Sequence, residues 1–222
     1  MPKPALSDAI QDYLKVIYHL QTAEDGRVSV TALAREQKVS PASASEMVKK
    51  LAALDLVEHA PYRGVRLTRA GEKVAVEVIR HHRLLELYLA HTLGLHVDDV
   101  HDEADRLEHV ISEELEAKID SALGYPTHDP HGDPIPSADL TLCHDDTQAL
   151  ASLEPGDTAT LARVSDAEPE MLRYLAERNI GPGTELRVID KQPFGGPLLV
   201  AANQQTHAFG GRLADSMRVR AA

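Results

Sequence analysis

The segment VHDEADRLEHV, residues 100–110, carries two histidines and four carboxylates in eleven positions. Some of these side chains recur at three- and four-residue spacing, so they share one arc of a helix. They are His101, Asp105, Glu108 and His109. Upstream, His82 and Glu86 form another i, i+4 pair. Because carboxylates and neutral imidazoles are ligands for divalent first-row metal ions, the pattern predicts a metal site with oxygen and nitrogen ligands.

Other interpretations fit parts of this pattern. Taken alone, a helical His/Glu pair is typical of a solvated surface pair. The spacing is not HExxH and no cysteine accompanies the histidines, which disfavours a zinc protease or a structural zinc site. A metalloenzyme such as a hydrolase could use the same cluster, but the chain has no obvious nucleophile or phosphate-binding loop. A DNA-binding scaffold whose acidic segment binds a partner protein is a third hypothesis.

The charge of the chain is unevenly distributed. Its 222 residues have a formal net charge of −12, and residues 76–147 hold 17 of the 35 acidic residues, four of the 23 basic residues and nine of the 12 histidines. Such a segment either repels itself or holds cations. The sequence has a single cysteine, Cys143, and neither a secretory signal nor a long apolar run. We therefore expect a cytoplasmic protein without a disulfide framework or a membrane span.

The first third of the chain predicts a helix-turn-helix. Apolar residues at helical spacing in LSDAIQDYLKVIYHLQ predict a first helix, with Ser7 as its cap, and a short second helix is expected from about Thr31. Ser40 and Pro41 then predict a capped helix. Its inward residues are expected to be Met47, Val48, Leu51 and Leu54. Two short helices joined by a tight turn are typical of DNA-binding modules.

The stretch LVEHAPYRGVRLTRAG predicts a β-hairpin that would serve as a wing. Small side chains at the start of the capped helix allow close approach to DNA, so readout of DNA shape is expected. A helical hairpin used only for packing is the alternative, but the order of helix, turn, capped helix and basic hairpin favours DNA binding. The expected DNA contacts are Ser40, Pro41, Ala42, Ser43, Ser45, Lys49, Lys50, Arg63 and Arg66.

The middle and last thirds predict helices followed by a small β domain. One long helix is expected from Thr68 to near Gly94, and a second is expected to run unbroken from Asp98 or Asp99 to Gly124. The buried stripe of the second helix would be Val100, Ala104, Leu107, Ile111 and Leu115. After a linker, the pattern predicts a strand, a short helix, two strands and one further strand. The fold class is therefore mainly α with a small β part.

Together these motifs resemble the diphtheria toxin repressor family of metal-dependent transcriptional regulators, specifically its manganese-responsive members. DYLKVIY, VSPASASEMVKKLAALDLVEHAPYRGVRLTRAG, HHRLLE, VHDEADRLEHV and PHGDPIP carry the resemblance over about residues 7–137. It implies a winged helix-turn-helix DNA-binding domain over residues 1–75, a helical metal-binding and dimerisation domain with linker over 76–147, and an SH3-like β barrel over 148–222. It also implies a homodimer that, once loaded with metal, binds a pseudo-palindromic operator and represses metal-uptake genes.

The resemblance further implies two sets of metal ligands. The main regulatory site would use Asp12, His82, Asp105, Glu108 and His109. Iron-responsive members have a methionine at the position of Asp12 and a cysteine at that of Asp105, so the oxygens here favour Mn(II), with Fe(II) and other divalent first-row metals as alternatives. The ancillary site would use Glu86, His101, Glu168 and His131, with Glu170 and Asp129 as further candidates.

Two points are specific to this chain. Lys15 stands where manganese-responsive members often have a glutamate, which argues against a two-metal cluster like theirs, and we expect Lys15 to contact a phosphate at the surface or to be solvated. For His128 and His131, a turn formed by HDPHGDPIP and held by Gly132 and the prolines is as plausible as metal ligation.

Overall fold

A computed structural model of the chain describes residues 6–24, 26–60, 63–96, 99–142, 146–165 and 168–221. Asp98, a predicted start of the second long helix, and Cys143, the single cysteine, lie outside these ranges. Two compact units can be distinguished from the contacts along the chain. The N-terminal unit comprises residues up to 81, residues 108–111 and residues 136–141, and the C-terminal unit comprises residues 82–107, 112–135 and 142 onward.

The N-terminal unit contains three helices, a hairpin and the start of a fourth helix. They are α1 (Asp8–Glu24), α2 (Val30–Glu36), α3 (Pro41–Ala53), β1 (Val57–Ala60), β2 (Gly64–Leu67) and α4 (Arg69–Leu93), of which residues 69–81 belong here. Ser29 caps α2, which begins one residue earlier than expected, by accepting the Ala32 N–H. Ser40 caps α3 by accepting the Ser43 N–H, and Pro41 is the first helical residue, as predicted.

The core of this unit lies between α1, α3 and the hairpin. Ile10, Leu14 and Ile17 of α1 are buried together with Val48 and Leu51 of α3. The hairpin strands pair antiparallel, and residue 28 bridges to residue 65 of β2. The predicted stripe on α3 is wrong at one position because residue 54 follows the last helical residue, and its side chain is 47% exposed.

Gly71 sits where the first turn of α4 approaches the chain before β1. A Cβ atom at this position would lie 2.0 Å from the carbonyl oxygen of Leu56. We expect Gly71→Ala to lower the free energy of unfolding by about 2–3 kcal/mol, because backbone must shift to relieve the overlap. Thermal unfolding followed by circular dichroism measures the loss. Gly211→Ala is the control, since nothing lies within 4 Å of the added atom there. Equal stability of the two variants would contradict this close approach.

The C-terminal unit begins with the rest of α4, followed by α5 (Val100–Leu107) and α6 (Glu113–Ala122). The long helix ends as predicted, at Gly94, which has a φ of 71°. The prediction of one unbroken second helix is wrong, because the chain leaves the helix between α5 and α6. Ser112 starts α6 afresh by accepting the Leu115 N–H. The predicted stripe therefore holds only at Val100 and Ala104.

The remaining stripe positions differ from the prediction. Residues 107 and 111 are half-buried, and Leu115 is 49% exposed. The register of the apolar face is lost because the residues after α5 no longer follow helical rotation. A hydrogen bond inside the N-terminal unit contributes to this break, since His81 Nδ1 lies 3.0 Å from the carbonyl oxygen of Glu108. That oxygen would otherwise be available to continue the helix.

Among the described residues, the rest of the C-terminal unit forms a six-stranded antiparallel sheet with two short α-helices and one turn of 3-10 helix (Leu150–Ser152). Its elements are β3 (Gln148–Ala149), β4 (Thr158–Val164), α7 (Pro169–Ala176), β5 (Glu185–Lys191), β6 (Leu198–Ala202), β7 (Gln205–Phe209), α8 (Gly211–Ser216) and β8 (Met217–Ala221). The strand order is β3-β8-β4-β5-β6-β7. The expectation of one strand after β6 is wrong, because α8 separates β7 from β8 and the two strands pair with different neighbours.

This sheet encloses its own core. Leu161, Leu186, Val200, Phe209 and Met217 come from five different strands and are all buried. The observed elements agree with a mainly α fold that has a small β part. Among the residues described, no helix is long and apolar enough to cross a membrane.

Candidate metal centre

Asp12, Glu108 and His109 lie together in the N-terminal unit, and we call them the α1 cluster. Asp12 comes from α1, whereas the other two come from the turn after α5. One ligand atom from each residue lies within 4.8 Å of those of the other two. His109 Nε2 is 2.9 Å from Asp12 Oδ1 and 3.6 Å from Glu108 Oε1. The cluster therefore offers two carboxylates and one imidazole to a cation.

The electrostatics of the α1 cluster favour occupation by a positive charge. Burial raises the pKa of Asp12, the charge of Glu108 raises it further, and His109 and Lys15 act in the opposite direction. The Glu108 side chain is only 1% exposed. Two carboxylates held so close, one of them buried, repel each other unless a cation or a proton intervenes.

Lys15 lies next to the α1 cluster and contacts Glu108. Its Nζ lies 3.0 Å from Oε1 and 2.8 Å from Oε2 of Glu108, and its side chain is only 16% exposed. The expectation that Lys15 is solvated or contacts a phosphate at the surface is wrong. It faces inward because it follows Asp12 by three residues on α1, which places the two side chains on the same face.

A second group, which we call the α4 cluster, lies in the C-terminal unit. His82 Nε2 and His101 Nδ1 lie 2.9 Å and 3.1 Å from the same oxygen of Glu86, and 3.1 Å from each other. His131 Nε2 is 3.8 Å from that oxygen. Asp105 Oδ1 lies 3.2 Å from His82 Nδ1. The family resemblance implies that His82 belongs to the main site. Within this unit its Nε2 lies beside Glu86 and His101 and its Nδ1 beside Asp105, so its assignment to the main site stays a prediction.

Buried polar atoms without a hydrogen-bond partner indicate that the α4 cluster fits a metal ion. Among the described residues, Glu86 Oε2 and both ring nitrogens of His131 are buried without a hydrogen-bond partner. Such atoms are rare in folded proteins and call for an explanation. Ligand atoms that share an octahedral ion at about 2.1 Å lie about 3 Å apart, close to the distances between His82, Glu86 and His101. The donor set and its spacing therefore fit a divalent ion.

Glu86 is suited to ligation by its charge as well as its position. Burial raises the pKa of its carboxyl, but hydrogen bonds from His101 and His82 outweigh burial and hold the pKa well below its usual range. Although Glu86 is fully buried, it therefore stays ionised, which is the form that binds a cation.

The turn that carries His131 is well defined. Asp129 Oδ1 accepts the backbone N–H groups of His131 and Asp133, and burial raises the pKa of Asp129. Gly132 has a φ of 89°, and a Cβ there would lie 2.0 Å from the carbonyl oxygen of Ala162. The turn formed by HDPHGDPIP is thus present, and it also delivers His131 to the α4 cluster.

The other predicted ligands have different partners. Glu168, just before α7, pairs with the Arg212 guanidinium, and Glu170 is exposed in the first turn of that helix. Their role as ligands stays a prediction. Sequence reasoning missed Gln11, whose Oε1 lies 3.1 Å from His109 Nδ1. Its position beside Asp12 on α1 is the signal that could have identified it.

The predicted DNA contacts are accessible, with one exception. Ser45 is half-buried, whereas the other predicted residues of α3 and the hairpin are exposed. Ser40 and Ser43 are also engaged locally, since their hydroxyl oxygens are 2.9 Å apart. We therefore interpret Ser40 first as a helix cap and only second as a DNA contact. Residues 61 and 62 of the hairpin lie outside the described residues.

Comparison with known families gives three matches along the chain. Residues 5–65 match the iron-dependent repressor N-terminal DNA-binding domain, residues 68–137 match the iron-dependent repressor metal-binding and dimerisation domain, and residues 148–221 match the FeoA domain, which is SH3-like. The predicted winged helix-turn-helix and SH3-like parts are thereby confirmed.

Individual relatives agree with these matches. The diphtheria toxin repressor of Corynebacterium efficiens is 32% identical over 96% of both chains. The iron-dependent repressor IdeR of Mycobacterium leprae is 37% identical over 67% of this chain and 64% of its own. A solved structure described as a manganese-dependent transcriptional repressor in complex with manganese superimposes with a TM-score of 0.88 and 42% identity, over 96% of this chain and 100% of that one. The chain belongs to the diphtheria toxin, or iron-dependent, repressor family of metal-dependent transcriptional regulators.

Proposed function

We propose that the protein represses metal-uptake genes in the cytoplasm in response to Mn(II). Members of its family are DNA-binding transcriptional repressors rather than enzymes, so the metalloenzyme hypothesis has no support. The observation that carries the proposal is the donor set of the α1 cluster, which contains carboxylate and imidazole groups and no sulfur. Hard oxygen ligands suit Mn(II), with Fe(II) as the second candidate. The 42% identical structure is described as a manganese-dependent repressor, which supports the same metal.

Each unit would hold its own ion. In the N-terminal unit, Asp12, Glu108 and His109 would bind one divalent ion. In the C-terminal unit, Glu86 and the imidazoles around it would bind another. The ligands proposed for it are His82, Glu86, His101 and His131, with Asp105 beside them. When bound, each ion would supply the positive charge that offsets the carboxylates of its cluster.

The α1 cluster offers a route from metal to DNA. Asp12 joins α1, which packs against α2 and the hairpin strand β2, to residues 108 and 109. Fastening α1 to this turn would restrict the arrangement of the helix-turn-helix, so the population of DNA-binding conformations would rise with metal concentration. Asp12 is therefore the residue through which the DNA-binding helices would respond to the metal.

We further propose that the protein binds a pseudo-palindromic operator as a homodimer. The match of residues 68–137 to a metal-binding and dimerisation domain supports this assembly. Leu93 at the end of α4 and Leu115 on α6 are 57% and 49% exposed, so these helices carry apolar surface that a second subunit could cover. A two-fold axis would then place one winged module at each half-site.

The lysines at the end of α3 are expected to contribute charge rather than sequence recognition. Replacing both Lys49 and Lys50 with alanine should weaken binding to operator and to unrelated DNA by similar factors, because interactions with phosphates carry no sequence information. The slope of log affinity against log salt concentration should fall by about 0.9 for each phosphate that is no longer neutralised. Anisotropy titrations at several salt concentrations measure this slope. Lys191→Ala, in the C-terminal sheet, is the control, and a loss restricted to operator DNA would contradict the assignment.

Fluorescence anisotropy tests the function as a whole. The probe is labelled promoter DNA of a metal-transport gene from the same genome, titrated at fixed salt with chelator, Mn(II), Fe(II) or Zn(II). Tight binding with Mn(II), alone or together with Fe(II), supports the proposal and ranks the metals. Equal binding in the presence of chelator would contradict metal control and would favour a DNA-binding scaffold.

A further inference from the structure

The contact between Lys15 and Glu108 lies inside the candidate metal site. Glu108 is one of the three residues of the α1 cluster, and the Lys15 ammonium contacts both of its carboxylate oxygens. These are the atoms through which Glu108 would bind a metal ion. Lys15 and the ion therefore need the same carboxylate, and the question is what an ammonium group does there.

We propose that Lys15 is an internal competitor for the Glu108 carboxylate. In the metal-free protein it stabilises this buried, ionised carboxylate, and it raises the concentration of divalent cation needed to fill the α1 cluster. This inference rests on the proposed function, because it assumes that the α1 cluster binds the ion. Lys15 acts through Glu108, so it is a positioning residue rather than a ligand.

The burial of Glu108 explains why Lys15 stabilises the metal-free protein. The Glu108 side chain is 1% exposed, and an isolated buried carboxylate is costly unless a cation accompanies it. With its side chain 16% exposed, Lys15 supplies that cation in the absence of metal. Glu108 therefore stays ionised in the metal-free protein.

The positive charge of Lys15 explains why it weakens binding of a divalent ion. Asp12 and Glu108 together carry two negative charges when ionised, which would balance a divalent ion. Lys15 cancels one of these charges and repels an incoming cation at short range. A single neighbouring charge changes the proton affinity of a carboxylate by about ten- to a thousandfold, and a divalent ion should feel at least as strong an effect. Removal of Lys15 should therefore tighten metal binding, although it removes an interaction within the site.

A purely structural role predicts the opposite result. If Lys15 only positioned Glu108, its loss would loosen the cluster and weaken metal binding. The sign of the change in metal affinity therefore distinguishes the two roles. Lys15→Arg keeps the charge, and it should retain an affinity close to that of the unchanged protein.

The experiment measures binding of Mn(II) to the full-length chain in a Glu86→Gln background, which suppresses binding at the α4 cluster. Free Mn(II) is quantified by electron paramagnetic resonance, and thermal unfolding is recorded with chelator. Lys15→Met should lower the Mn(II) Kd by at least about tenfold and lower the melting temperature of the metal-free protein. Lys73→Met, at an exposed position of α4, removes the same charge elsewhere and should change neither quantity.

Unchanged or weaker Mn(II) binding by Lys15→Met would overturn the inference. If that variant folds only when Mn(II) is present, the stabilising half of the proposal is supported, and Lys15→Gln then decides the affinity by the same criterion. If the Glu86→Gln protein with Lys15 intact binds no Mn(II) at any concentration, the proposed function of the α1 cluster fails instead. The two failures are therefore distinguishable.

Discussion

Replacing Asp12 with alanine is expected to abolish Mn(II)-dependent operator binding, with a loss of affinity of at least about a hundredfold. Asp12 is the member of the α1 cluster that comes from α1, and its Oδ1 lies 2.9 Å from His109 Nε2. Without this carboxylate, metal could still bind Glu108 and His109, but it could not fasten α1 to them. Anisotropy titration of operator DNA at saturating Mn(II) and fixed salt measures the loss.

The matched control for Asp12 is Asp8→Ala. Asp8 is exposed in the first turn of the same helix, so its loss removes an equal charge without touching the cluster. Unfolding is not expected to account for the effect of Asp12→Ala. Because burial raises the pKa of Asp12, its ionised form costs stability at neutral pH in the metal-free protein. Operator binding by Asp12→Ala at the strength of the Asp8 variant would rule out the proposed route from metal to DNA.

Glu86→Gln is expected to remove one bound metal ion per subunit, with a loss of affinity at the α4 cluster of at least about a hundredfold. The imidazoles of His82 and His101 converge on one oxygen of Glu86, so a neutral amide would leave the ion without its central negative ligand. Calorimetric titration with Mn(II) measures the stoichiometry. An unchanged number of ions would contradict the assignment of this cluster.

The same variant makes a prediction about pH in the chelated protein. The pKa of Glu86 in the folded state lies below its ordinary value of 4.5, so its ionised form stabilises the fold at neutral pH. That contribution is retained above the unfolded-state pKa and is lost as pH falls through the folded-state value. Glu86→Gln should therefore lower the free energy of unfolding by about 1–3 kcal/mol at pH 7, and the difference should narrow below about pH 4.5.

Urea unfolding between pH 3.5 and 7.5 in the presence of chelator measures this difference at roughly half-unit intervals. Glu114→Gln, at an 84% exposed side chain of α6, serves as the control and should change stability little at any pH. The difference in free energy of unfolding between the unchanged protein and Glu86→Gln should not stay constant down to the lowest pH. A constant difference would contradict the assignment of a lowered pKa to the Glu86 carboxyl.

Local signals were sufficient for much of the helical part of the fold. Ser40 and Pro41 start α3 where expected, because a cap and a proline at the first helical position act on their own turn. Gly94 likewise marks the end of α4. The break after α5 could not be predicted in the same way. Helical spacing continues through it in the sequence, whereas its cause includes a contact between His81 and Glu108 that is distant along the chain.

The site shows the same division between local and distant information. Residue types and spacing indicated a metal site with oxygen and nitrogen ligands, and His82 and Glu86 lie together as the i, i+4 pattern predicts. Spacing on one helix cannot reveal a partner on another, so the contact of Lys15 with Glu108, 93 positions away, was missed. The division of the ligands into two sets came from the family resemblance and not from spacing, and Asp12, Glu108 and His109 of the main set lie together in the α1 cluster.

The N-terminal unit is discontinuous in sequence, since residues 108–111 and 136–141 join the residues up to 81. During synthesis at roughly 5–20 residues per second, the helix-turn-helix leaves the ribosome seconds before these later segments. For that interval the nascent chain has its DNA-binding helices but neither Glu108 nor His109. The same holds for a fragment cut at the predicted boundary of residue 75. To make another DNA-binding protein depend on metal in the same way, the turn after α5 would have to be transferred together with the first 75 residues.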